Sequence, residues 1–388
     1  MTKIIISGGG TTGHIHPALA IAEIIKKHIP DSEFLYVGTP DSLEERIAKR
    51  EGIAFEPITV TGFGRKISFS NIKRNAESAV NIVKASRRCR EIIAEFAPDL
   101  AIGTGGYVCG PIIRTAAKLG IPTLIHEQNA FPGMTVKLLS QNVDEVMLAF
   151  PDAASRLRTN VKYTVTGLPT RAHYYQNPIS RHDAKHKLGF DDSPLILSFG
   201  GSLGAKTIND IAKNLIQFTD TLPIKINHIH AYGKNGGAKN GIGNFCESLT
   251  QAGIDYNGSD RLMIREYIDN MNVCMSAADL VISRSGASTV FELQALGRAS
   301  ILIPSPNVTE NHQYYNACVI GKTGGAVVLE EDELNLSSLQ SIVSDLMTNP
   351  DKLRQMERDA HIGFEANTPE KIFKCVEFLL KSANTDES

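Results

Sequence analysis

Short runs of apolar residues alternate with longer, amphipathic segments along the whole chain. The runs are continuous rather than interrupted by polar residues, which is typical of parallel strands that helices cover on both faces. In chain order they read KIIIS, EFLYVG, DLAIG, PTLIH, EVMLAF, KYTVTG, LILSFG, KINHIHAYG, LVISRS and SILIPSP. Because helical segments separate most of these runs, the pattern predicts an α/β fold with parallel sheets.

The succession of strand, glycine loop and helix that opens the chain occurs a second time. KIIISGGGTTGHIHPALAIAEII stands at the start, and PLILSFGGSLGAKTINDIAKNLI begins at Pro194. Two such starts predict two doubly wound domains, joined through the polar, proline-bearing stretch 167–194. Ligands of such folds bind outside the carboxyl ends of the strands, so we expect a ligand cleft between the domains.

Composition narrows the class of protein. The chain has 388 residues, 42% hydrophobic and 21% charged, which is enough for two well-packed domains. A net charge of −2 argues against a polyanion-binding protein, and we predict no nucleic-acid partner. Six widely spaced cysteines without metal-binding spacing indicate free thiols in a reducing compartment. Since no apolar run has the length of a membrane span, we expect a cytoplasmic protein, with peripheral membrane attachment left open.

The first glycine loop, SGGGTTGH, is a candidate phosphate site. Gly8, Gly10 and Gly13 match the G-x-G-x-x-G pattern, in which glycines let the backbone approach a phosphate at a helix N-terminus. A nicotinamide-binding loop also needs an acidic residue at the end of the second strand, where this chain has only Asp41, after a proline. An NAD-dependent oxidoreductase therefore stays as an alternative, beside a plain turn between strand and helix.

Two further loops follow neighbouring strands. GTGGYVCGP carries Gly103, Gly105 and Gly106. Together with Gly10 of the first loop, these glycines predict a site for two phosphates or one diphosphate. HEQNAFPG, over 126–133, places many polar groups directly after a buried strand, as expected at a binding edge. The alternative for the last loop is a solvated turn.

Individual polar side chains in or beside glycine loops are further candidates for catalysis and binding. His14 stands where the first helix is expected to begin, and because the helix dipole disfavours its cationic form, a neutral ring could act as a general base. In the second half, Ser202 of GGSLGA could donate to a phosphate, and Glu292 of SRSGASTVFELQALG could accept from ribose hydroxyls. The alternative for His14 and Glu292 is a capping function at a helix start.

One segment is strongly basic. Residues 62–90 contain eight basic residues and one acidic residue, Glu77, with apolar side chains interleaved at helical spacing. Such a patch on a nearly neutral protein could lie on an anionic membrane surface. The alternative is a solvated helix face.

Taken together and in order, GGGTTGHIHPALAIAE, GTGGYVCGP, HEQNAFPG, GGSLGA, RSGASTVFEL and NHQYYNA resemble the lipid II-forming peptidoglycan N-acetylglucosaminyltransferases. The motifs span most of the chain and are highly specific in combination. The resemblance implies a GT-B fold, with two Rossmann-like doubly wound domains and an interdomain cleft. It implies an acceptor- and membrane-binding domain over 1–168, to which a C-terminal helix at about 365–383 returns, and a UDP-N-acetylglucosamine-binding domain over 169–364.

The resemblance also implies the reaction. An inverting transferase would move N-acetylglucosamine from UDP-N-acetylglucosamine to the 4-hydroxyl of the muramoyl unit of undecaprenyl-diphospho-muramoyl-pentapeptide, converting lipid I to lipid II. We expect no cofactor and no metal, a peripheral position on the cytoplasmic face of the inner membrane, and cell-wall synthesis and division proteins as candidate partners. A related transferase with another lipid acceptor, or a binding protein without catalysis, remains an alternative.

Site residues follow from the family's motifs, position by position. His14 is the candidate base and Glu127 the fallback. The loop glycines Gly10, Gly103, Gly105 and Gly106 would hold the acceptor diphosphate. The donor-binding residues would be Thr11, Thr12, Gly13, Asn129 and Gln313 at the sugar, Arg171 and Ser202 at the diphosphate, Ile268 at the uracil through its backbone, and Ala287, Ser288, Thr289, Val290, Phe291 and Glu292 across diphosphate, sugar and ribose. The chain departs from the family's T-G-G-H by carrying Thr12 in place of the first glycine.

Overall fold

A computed structural model describes residues 1–60, 84–169, 179–236 and 244–385 of the chain. Arg171 and most of the basic segment 62–90 lie outside these residues. The chain divides into two compact units. Unit 1 comprises Met1–Ala172 and Glu365–Ser388, and unit 2 comprises His173–Phe364.

Unit 1 is built on a parallel sheet of seven strands in the order β3-β2-β1-β4-β5-β6-β7. Its strands are β1 (Lys3–Ser7), β2 (Glu33–Gly38), β3 (Ala54–Pro57), β4 (Leu100–Gly103), β5 (Thr123–Glu127), β6 (Glu145–Leu148) and β7 (Tyr163–Val165). Its helices are α1 (Thr12–His28), α2 (Leu43–Arg50), α3 (84–96), α4 (Cys109–Lys118), α5 (Met134–Leu139), a 3₁₀ turn (Pro151–Arg156) and the C-terminal helix, here α14 (Thr368–Thr385).

The apolar strands of unit 1 supply two cores, one on each face of the sheet. In β1, Ile4 and Ile6 join the core on the face covered by α1, while Ile5 between them joins the core on the face covered by α4. Alternate side chains of a strand point to opposite faces, so a strand buried on both sides must be apolar throughout. Ile372 and Val376 of α14 pack in the same core as α1.

Unit 2 repeats this architecture with six parallel strands in the order β10-β9-β8-β11-β12-β13. Its strands are β8 (Leu195–Phe199), β9 (Asn227–Ala231), β10 (Leu262–Arg265), β11 (Leu280–Ser283), β12 (Ser300–Leu302) and β13 (Ala326–Val328). Its helices are α6 (Arg181–Lys187), α7 (Lys206–Thr219), α8 (Phe245–Gln251), α9 (Met271–Ala277), α10 (Ala287–Leu296), α11 (His312–Gly321), α12 (Leu336–Thr348) and α13 (Pro350–Ala360), with 3₁₀ turns at Lys234–Gly236 and Thr309–Asn311.

The predicted α/β class with two parallel sheets is confirmed. All ten predicted strands are present, and the structure adds three that the pattern did not show: β3, β10 and β13. Each of the three lies at an edge of its sheet. The stretch expected to be a linker also contains a helix, α6.

Among the residues that the structure describes, no helix combines the length and the hydrophobicity needed to cross a bilayer.

Candidate functional site

The first two glycine loops of unit 1 pack directly against each other at the carboxyl ends of β1 and β4. The Thr104 N–H donates to the Ser7 carbonyl at 2.9 Å, and the Gly9 N–H donates to the Gly105 carbonyl at 3.3 Å. Gly106 has a φ of +81°, and a Cβ there would lie 2.2 Å from the Gly9 carbonyl oxygen. Glycine is required here because two backbones approach more closely than any side chain permits.

The threonine that departs from the family's motif is accommodated without strain. Thr12 is the first residue of α1, and the left-handed conformation in this loop falls on Gly10, with a φ of +83°. Thr11 is the N-cap residue, but its side chain makes no capping hydrogen bond. The N-terminus of α1 therefore keeps first-turn N–H groups that no cap side chain covers, beside the exposed Thr11, Thr12 and Gly13.

His14, in the first turn of α1, is held with one ring nitrogen facing two acceptors. Its Nδ1 lies 2.9 Å from the Thr104 carbonyl oxygen and 3.0 Å from Oε1 of Gln128. Since neither oxygen can donate a proton, Nδ1 must carry the hydrogen. In the neutral ring the basic lone pair is then on Nε2.

Gln128 is itself fixed by a second histidine. Its Nε2 donates to the His126 carbonyl at 2.9 Å and lies 3.1 Å from Nδ1 of His126. The other ring nitrogen of His126 is 3.0 Å from the Gly167 carbonyl. Burial lowers the pKa of His126 to about 4, so its ring is neutral, donating from Nε2 and accepting at Nδ1. A chain from Gly167 through His126 and Gln128 therefore sets the orientation of His14.

Glu127 lies between these residues in the chain but is engaged within its own loop. Its Oε1 accepts from the backbone N–H of Asn129 at 2.9 Å and from its side-chain amide at 3.1 Å, while Oε2 accepts from the Gly133 N–H at 2.7 Å. Burial raises the pKa of Glu127, against these hydrogen bonds and the charge of His14, which act to lower it. These contacts favour a loop-stabilising role, and the fallback base stays a prediction.

Unit 2 has a cavity of about 430 Å³ at the carboxyl ends of β8 and β11. The helices that follow these strands, α7 and α10, begin at it with Ala205 and Gly286 as their N-cap residues. Neither residue has a side chain that could cap the first turn, and helix N-termini of this kind bind anions. The cavity is lined by Phe199, Gly200, Gly201, Gly204, Ala205, Lys206, Thr207, Arg284, Gly286, Thr289, Ser305, Asn307, Gln313 and Glu331.

The predicted donor residues of unit 2 are only partly at this cavity. Thr289 and Gln313 line it, and Oε1 of Gln313 accepts from the Ser305 N–H at 2.9 Å. The other predicted residues described in unit 2 are not among its lining: Ser202 is exposed in the same glycine loop, Ala287 and Ser288 form the first turn of α10, Glu292 is half-buried in its second turn, and Ile268, Val290 and Phe291 are buried. The structure thus brings two of these side chains to the cavity wall.

Sequence reasoning missed the ion pair that lines the same cavity. Arg284 contacts Glu331 at 2.6 Å and donates to the carbonyl oxygens of Ile303 at 3.1 Å and Pro304 at 3.0 Å. Partial burial acts to raise the pKa of Glu331, but hydrogen bonds from Thr207 and Arg284 lower it overall. The signal available was the position of Arg284 directly after β11, where a basic side chain reaches the edge of the sheet.

Comparison with known proteins agrees with this architecture. The family model for the glycosyltransferase family 28 N-terminal domain matches residues 4–148, and the model for the C-terminal domain of that family matches residues 195–372. The crystal structure of Acinetobacter baumannii MurG is 28% identical, with a TM-score of 0.77 over 97% of this chain and 99% of that one. A putative UDP-N-acetylglucosamine 2-epimerase from Listeria monocytogenes, 14% identical over 97% of this chain and 95% of that one, has a TM-score of 0.67 and shares the fold alone.

Two curated relatives are similar over nearly their whole length. Both are named UDP-N-acetylglucosamine–N-acetylmuramyl-(pentapeptide) pyrophosphoryl-undecaprenol N-acetylglucosamine transferase. The protein from Acetivibrio thermocellus is 41% identical over 98% of this chain and 99% of its own length. The protein from Bacillus cytotoxicus is 40% identical over 98% of this chain and 100% of its own length.

Two parallel-sheet α/β units with these family matches define a UDP-sugar-dependent glycosyltransferase of the GT-B fold class. Within that class, the chain belongs to the family of the UDP-N-acetylglucosamine–N-acetylmuramyl-(pentapeptide) pyrophosphoryl-undecaprenol N-acetylglucosamine transferases.

Proposed function

We propose that the protein transfers N-acetylglucosamine from UDP-N-acetylglucosamine to the 4-hydroxyl of the muramoyl unit of undecaprenyl-diphospho-muramoyl-pentapeptide, with inversion at the anomeric carbon. The substrates are those that the names of its full-length relatives describe. The observation that carries the proposal is the unit 2 cavity of about 430 Å³, with two uncapped helix N-termini and Arg284 in its wall. That size and chemistry suit a nucleotide diphosphate sugar.

His14 is the proposed general base. With Nδ1–H directed at the Thr104 carbonyl and at Gln128, its Nε2 lone pair is free to take the proton from the attacking hydroxyl. The ring gains positive charge as it does so, near the N-terminus of α1, which disfavours a cation. The two acceptors at Nδ1 stabilise the charged ring by hydrogen bonding.

Departure of UDP is the second demand of the reaction, because negative charge develops on its terminal phosphate as the glycosidic bond breaks. The first-turn N–H groups of α7 and α10 can donate to that phosphate. Lys206 and Arg284 also line the cavity, where Asp210 and Glu331 partly neutralise their charges. Donors already oriented toward the site of developing charge stabilise the transition state without reorganisation.

The remaining contacts predicted from the family complete the proposal. Thr289 and Gln313 would contact the diphosphate and the sugar, and Glu292 would accept from ribose hydroxyls. Thr11 to Gly13 and Asn129 would approach the transferred sugar, while the glycine loops of unit 1 would bind the acceptor diphosphate. Ile268 would contact the uracil through its backbone, and Ser202 and Arg171 would approach the diphosphate.

A transfer assay tests the function directly. Purified protein should form the β-linked disaccharide on a soluble lipid I analogue with UDP-N-acetylglucosamine, and should release one UDP per transfer. Binding of UDP-N-acetylglucosamine without turnover would contradict catalysis. Transfer to a diglyceride but not to the lipid I analogue would point to another lipid acceptor, and binding of NAD(H) without UDP-sugar binding would overturn the whole proposal.

Peripheral attachment to an anionic membrane surface through residues 62–90 is part of the proposal. Within the described end of this segment, Arg87 pairs with Glu91 at 3.3 Å and Arg88 pairs with Glu56 at 2.6 Å, so their charge is partly neutralised. Arg90 is exposed in the same helix. Each basic residue near a membrane contributes about 1 kcal/mol to binding.

Vesicle sedimentation tests the attachment. Arg87→Glu with Arg90→Glu should release the protein from vesicles that contain anionic lipid, while Lys49→Glu with Arg50→Glu, an equal charge change on the exposed face of α2, serves as the control. Equal binding by the two double variants would show that residues 87–90 are a solvated helix face.

A further inference from the structure

Three metal-ligating side chains cluster on the surface of unit 2, and none of them lines the cavity described above. They are His182 and His186, four residues apart on α6, and Asp192 in the turn before β8. One nitrogen of each ring and one carboxylate oxygen all lie within 4.8 Å of one another. The side chains are 63%, 53% and 66% exposed, respectively, so an ion can reach them from solvent.

The helix determines how the two imidazoles meet. Residues four apart lie on the same face of an α-helix, one turn above the other. The ring centroids of His182 and His186 are 4.3 Å apart at an angle of 52°. Oδ1 of Asp192 lies 2.7 Å from Nδ1 of His182 and 3.6 Å from Nε2 of His186, so one carboxylate oxygen faces both rings.

The frame that carries these ligands is rigid, because the neighbouring face of α6 is anchored in the unit. Lys185 is buried, and its ammonium contacts Asp279 at 2.7 Å. Arg181, one turn earlier, contacts the other oxygen of Asp279 at 3.2 Å. Asp279 also accepts from the Leu195 N–H at 2.7 Å, which ties the helix to the first residue of β8.

The turn that carries Asp192 is anchored in the same way. The Lys185 ammonium donates to the carbonyl oxygens of Asp192 at 3.3 Å and of Ser193 at 2.9 Å. Asp191 accepts from the side-chain amide of Asn227 at 2.9 Å and contacts Lys225 at 3.0 Å. One buried lysine thus joins the helix that carries two ligands to the turn that carries the third.

We propose that His182, His186 and Asp192 form a binding site for a borderline divalent transition-metal ion, of which Zn²⁺ is the reference case. Two imidazole nitrogens and one carboxylate oxygen are ligands that Zn²⁺ accepts in protein sites, with solvent in the fourth position of a tetrahedron. Hard ions such as Mg²⁺ and Ca²⁺ prefer all-oxygen sites. A bound ion links α6 to the turn before β8 and therefore stabilises unit 2.

Calorimetric titration of tag-free, chelator-treated full-length protein with Zn²⁺ tests the site. The wild type should bind one equivalent of Zn²⁺, and the double variant His182→Ala with His186→Ala should not bind it. Asp192→Asn should weaken the affinity at least about ten-fold, since even the loss of a residue that only supports a ligand costs about that much. His28→Ala, which removes an exposed imidazole of unit 1, should bind as the wild type does. Mg²⁺ should give no binding at this equivalent.

Thermal unfolding supplies a second readout. Zn²⁺ should raise the unfolding temperature of the wild type and of His28→Ala, but not that of the double histidine variant. Alanine is a better helix former than histidine, so the double variant should fold without metal, which circular dichroism checks. A wild type that binds no Zn²⁺, or a double variant that keeps the same equivalent with the same affinity, would overturn the proposal.

Discussion

The two units begin with the same succession of strand, glycine loop and helix, yet they use the loop differently. In unit 1 the β1–α1 loop packs against the β4–α4 loop, and a Cβ at Gly106 would strike the Gly9 backbone. In unit 2 the β8–α7 loop borders a cavity, and a Cβ at Gly201 would meet nothing within 4 Å, although its φ is +89°. The loop of unit 2 also makes a close backbone contact, since a Cβ at Gly204 would lie 2.1 Å from the Tyr232 carbonyl oxygen, but unlike the loop of unit 1 it leaves open space beside a cavity, at Gly201.

The side chains beside the two loops differ as well. Unit 1 places a histidine whose Nδ1 is held by a backbone carbonyl and by Gln128. Unit 2 places the uncapped ends of α7 and α10 beside Arg284 and Lys206. The edge of the unit 1 sheet is thus suited to accept a proton, and the edge of the unit 2 sheet is suited to hold an anion. Glycosyl transfer from a nucleotide sugar requires both functions.

Removing the proposed base should have the largest effect. His14→Ala should lower kcat by about 10²- to 10⁴-fold, because a general base contributes about that much, with KM for UDP-N-acetylglucosamine nearly unchanged. His16→Ala, on an exposed position of the same helix, is the matched control and should stay near wild-type activity. A loss of only a few-fold in His14→Ala would remove His14 as the base. Steady-state kinetics of transfer to a lipid I analogue measure kcat and KM for the two variants.

Alanine substitutions at two glycines should separate packing from backbone conformation. Gly106→Ala combines a positive φ with a clash against the Gly9 backbone and should destabilise unit 1 by about 3 kcal/mol or more. Gly201→Ala meets open space and should cost unit 2 about 1–2 kcal/mol, from its conformation alone. Denaturant unfolding followed by circular dichroism measures both, and equal losses would contradict the distinction between the loops.

Acid should destabilise unit 2 more than unit 1. Burial lowers the pKa of His126 in unit 1 to about 4, and that of His228 and His230 in unit 2 to about 3. A histidine whose folded pKa lies below its unfolded value of about 6.5 binds fewer protons when folded, so its contribution is present above about pH 6.5 and is lost as the pH falls toward the folded pKa. Each such group contributes up to about 1.4 kcal/mol per pH unit.

Unfolding at pH 7 and at pH 5 measures this difference. The transition of unit 2 should shift further than that of unit 1, and replacing His228 by Asn should reduce the shift. An equal shift of both transitions would show that the buried histidines do not govern the acid response.

A capping residue introduced at unit 2 should oppose ligand binding while favouring the fold. A Cβ at Gly286 would meet nothing within 4 Å and the φ there is −60°, so Gly286→Asp should be tolerated, and aspartate would cap the first turn of α10. We expect a gain of a few tenths of a kcal/mol in stability and about a ten-fold weaker affinity for UDP-N-acetylglucosamine, measured by calorimetry. Gly286→Asn, which caps without charge, should weaken binding less. Unchanged affinity in Gly286→Asp would place the diphosphate elsewhere.

A change in the orientation of His14 should have an effect no larger than that of Gly286→Asp. Gln128→Leu removes the acceptor at Nδ1 but leaves the Thr104 carbonyl, so kcat should fall about ten-fold while KM for the donor stays near its wild-type value. Gln128→Asn keeps an amide of shorter reach and should recover part of the loss. A fall in stability without a fall in kcat would make Gln128 a structural residue only.

Burial on both faces explains which strands the pattern could reveal. β1 and β8 are buried on both faces and read as continuous apolar runs. β3, which reads AFEP and has no fully buried residue, lies at a sheet edge, where one side of the strand lacks a neighbour. β10 and β13 are edge strands of four and three residues. β3 lacks an apolar run, and the apolar runs of β10 (LMI) and β13 (AVV) are only three residues long. Periodicity alone cannot distinguish runs this short from segments of a buried helix, and so the pattern did not predict these strands.

The candidate site divides along similar lines. His14 and the glycine loops could be predicted because strand-to-helix turns at sheet ends have a local signature. Thr104 and Gln128, which hold His14, lie 90 and 114 residues away in the chain, and their contacts depend on the pairing of β1 with β4 and β4 with β5. Glu331, the partner of Arg284, lies outside all of these motifs.

The three candidate metal ligands of unit 2 were likewise only partly visible in the sequence. The spacing of His182 and His186 is visible in the sequence, but Asp192 joins them only because Lys185 holds the turn against α6.

What the sequence by itself determined is the class of fold, the order of its glycine loops and the residue types at strand ends, since these follow from local periodicity and turn chemistry. Only the tertiary structure decided which nitrogen of His14 carries the basic lone pair, which helix ends stay uncapped beside a cavity, and which distant side chains meet. Those properties depend on contacts between strands far apart in the chain, and no local pattern encodes such distances.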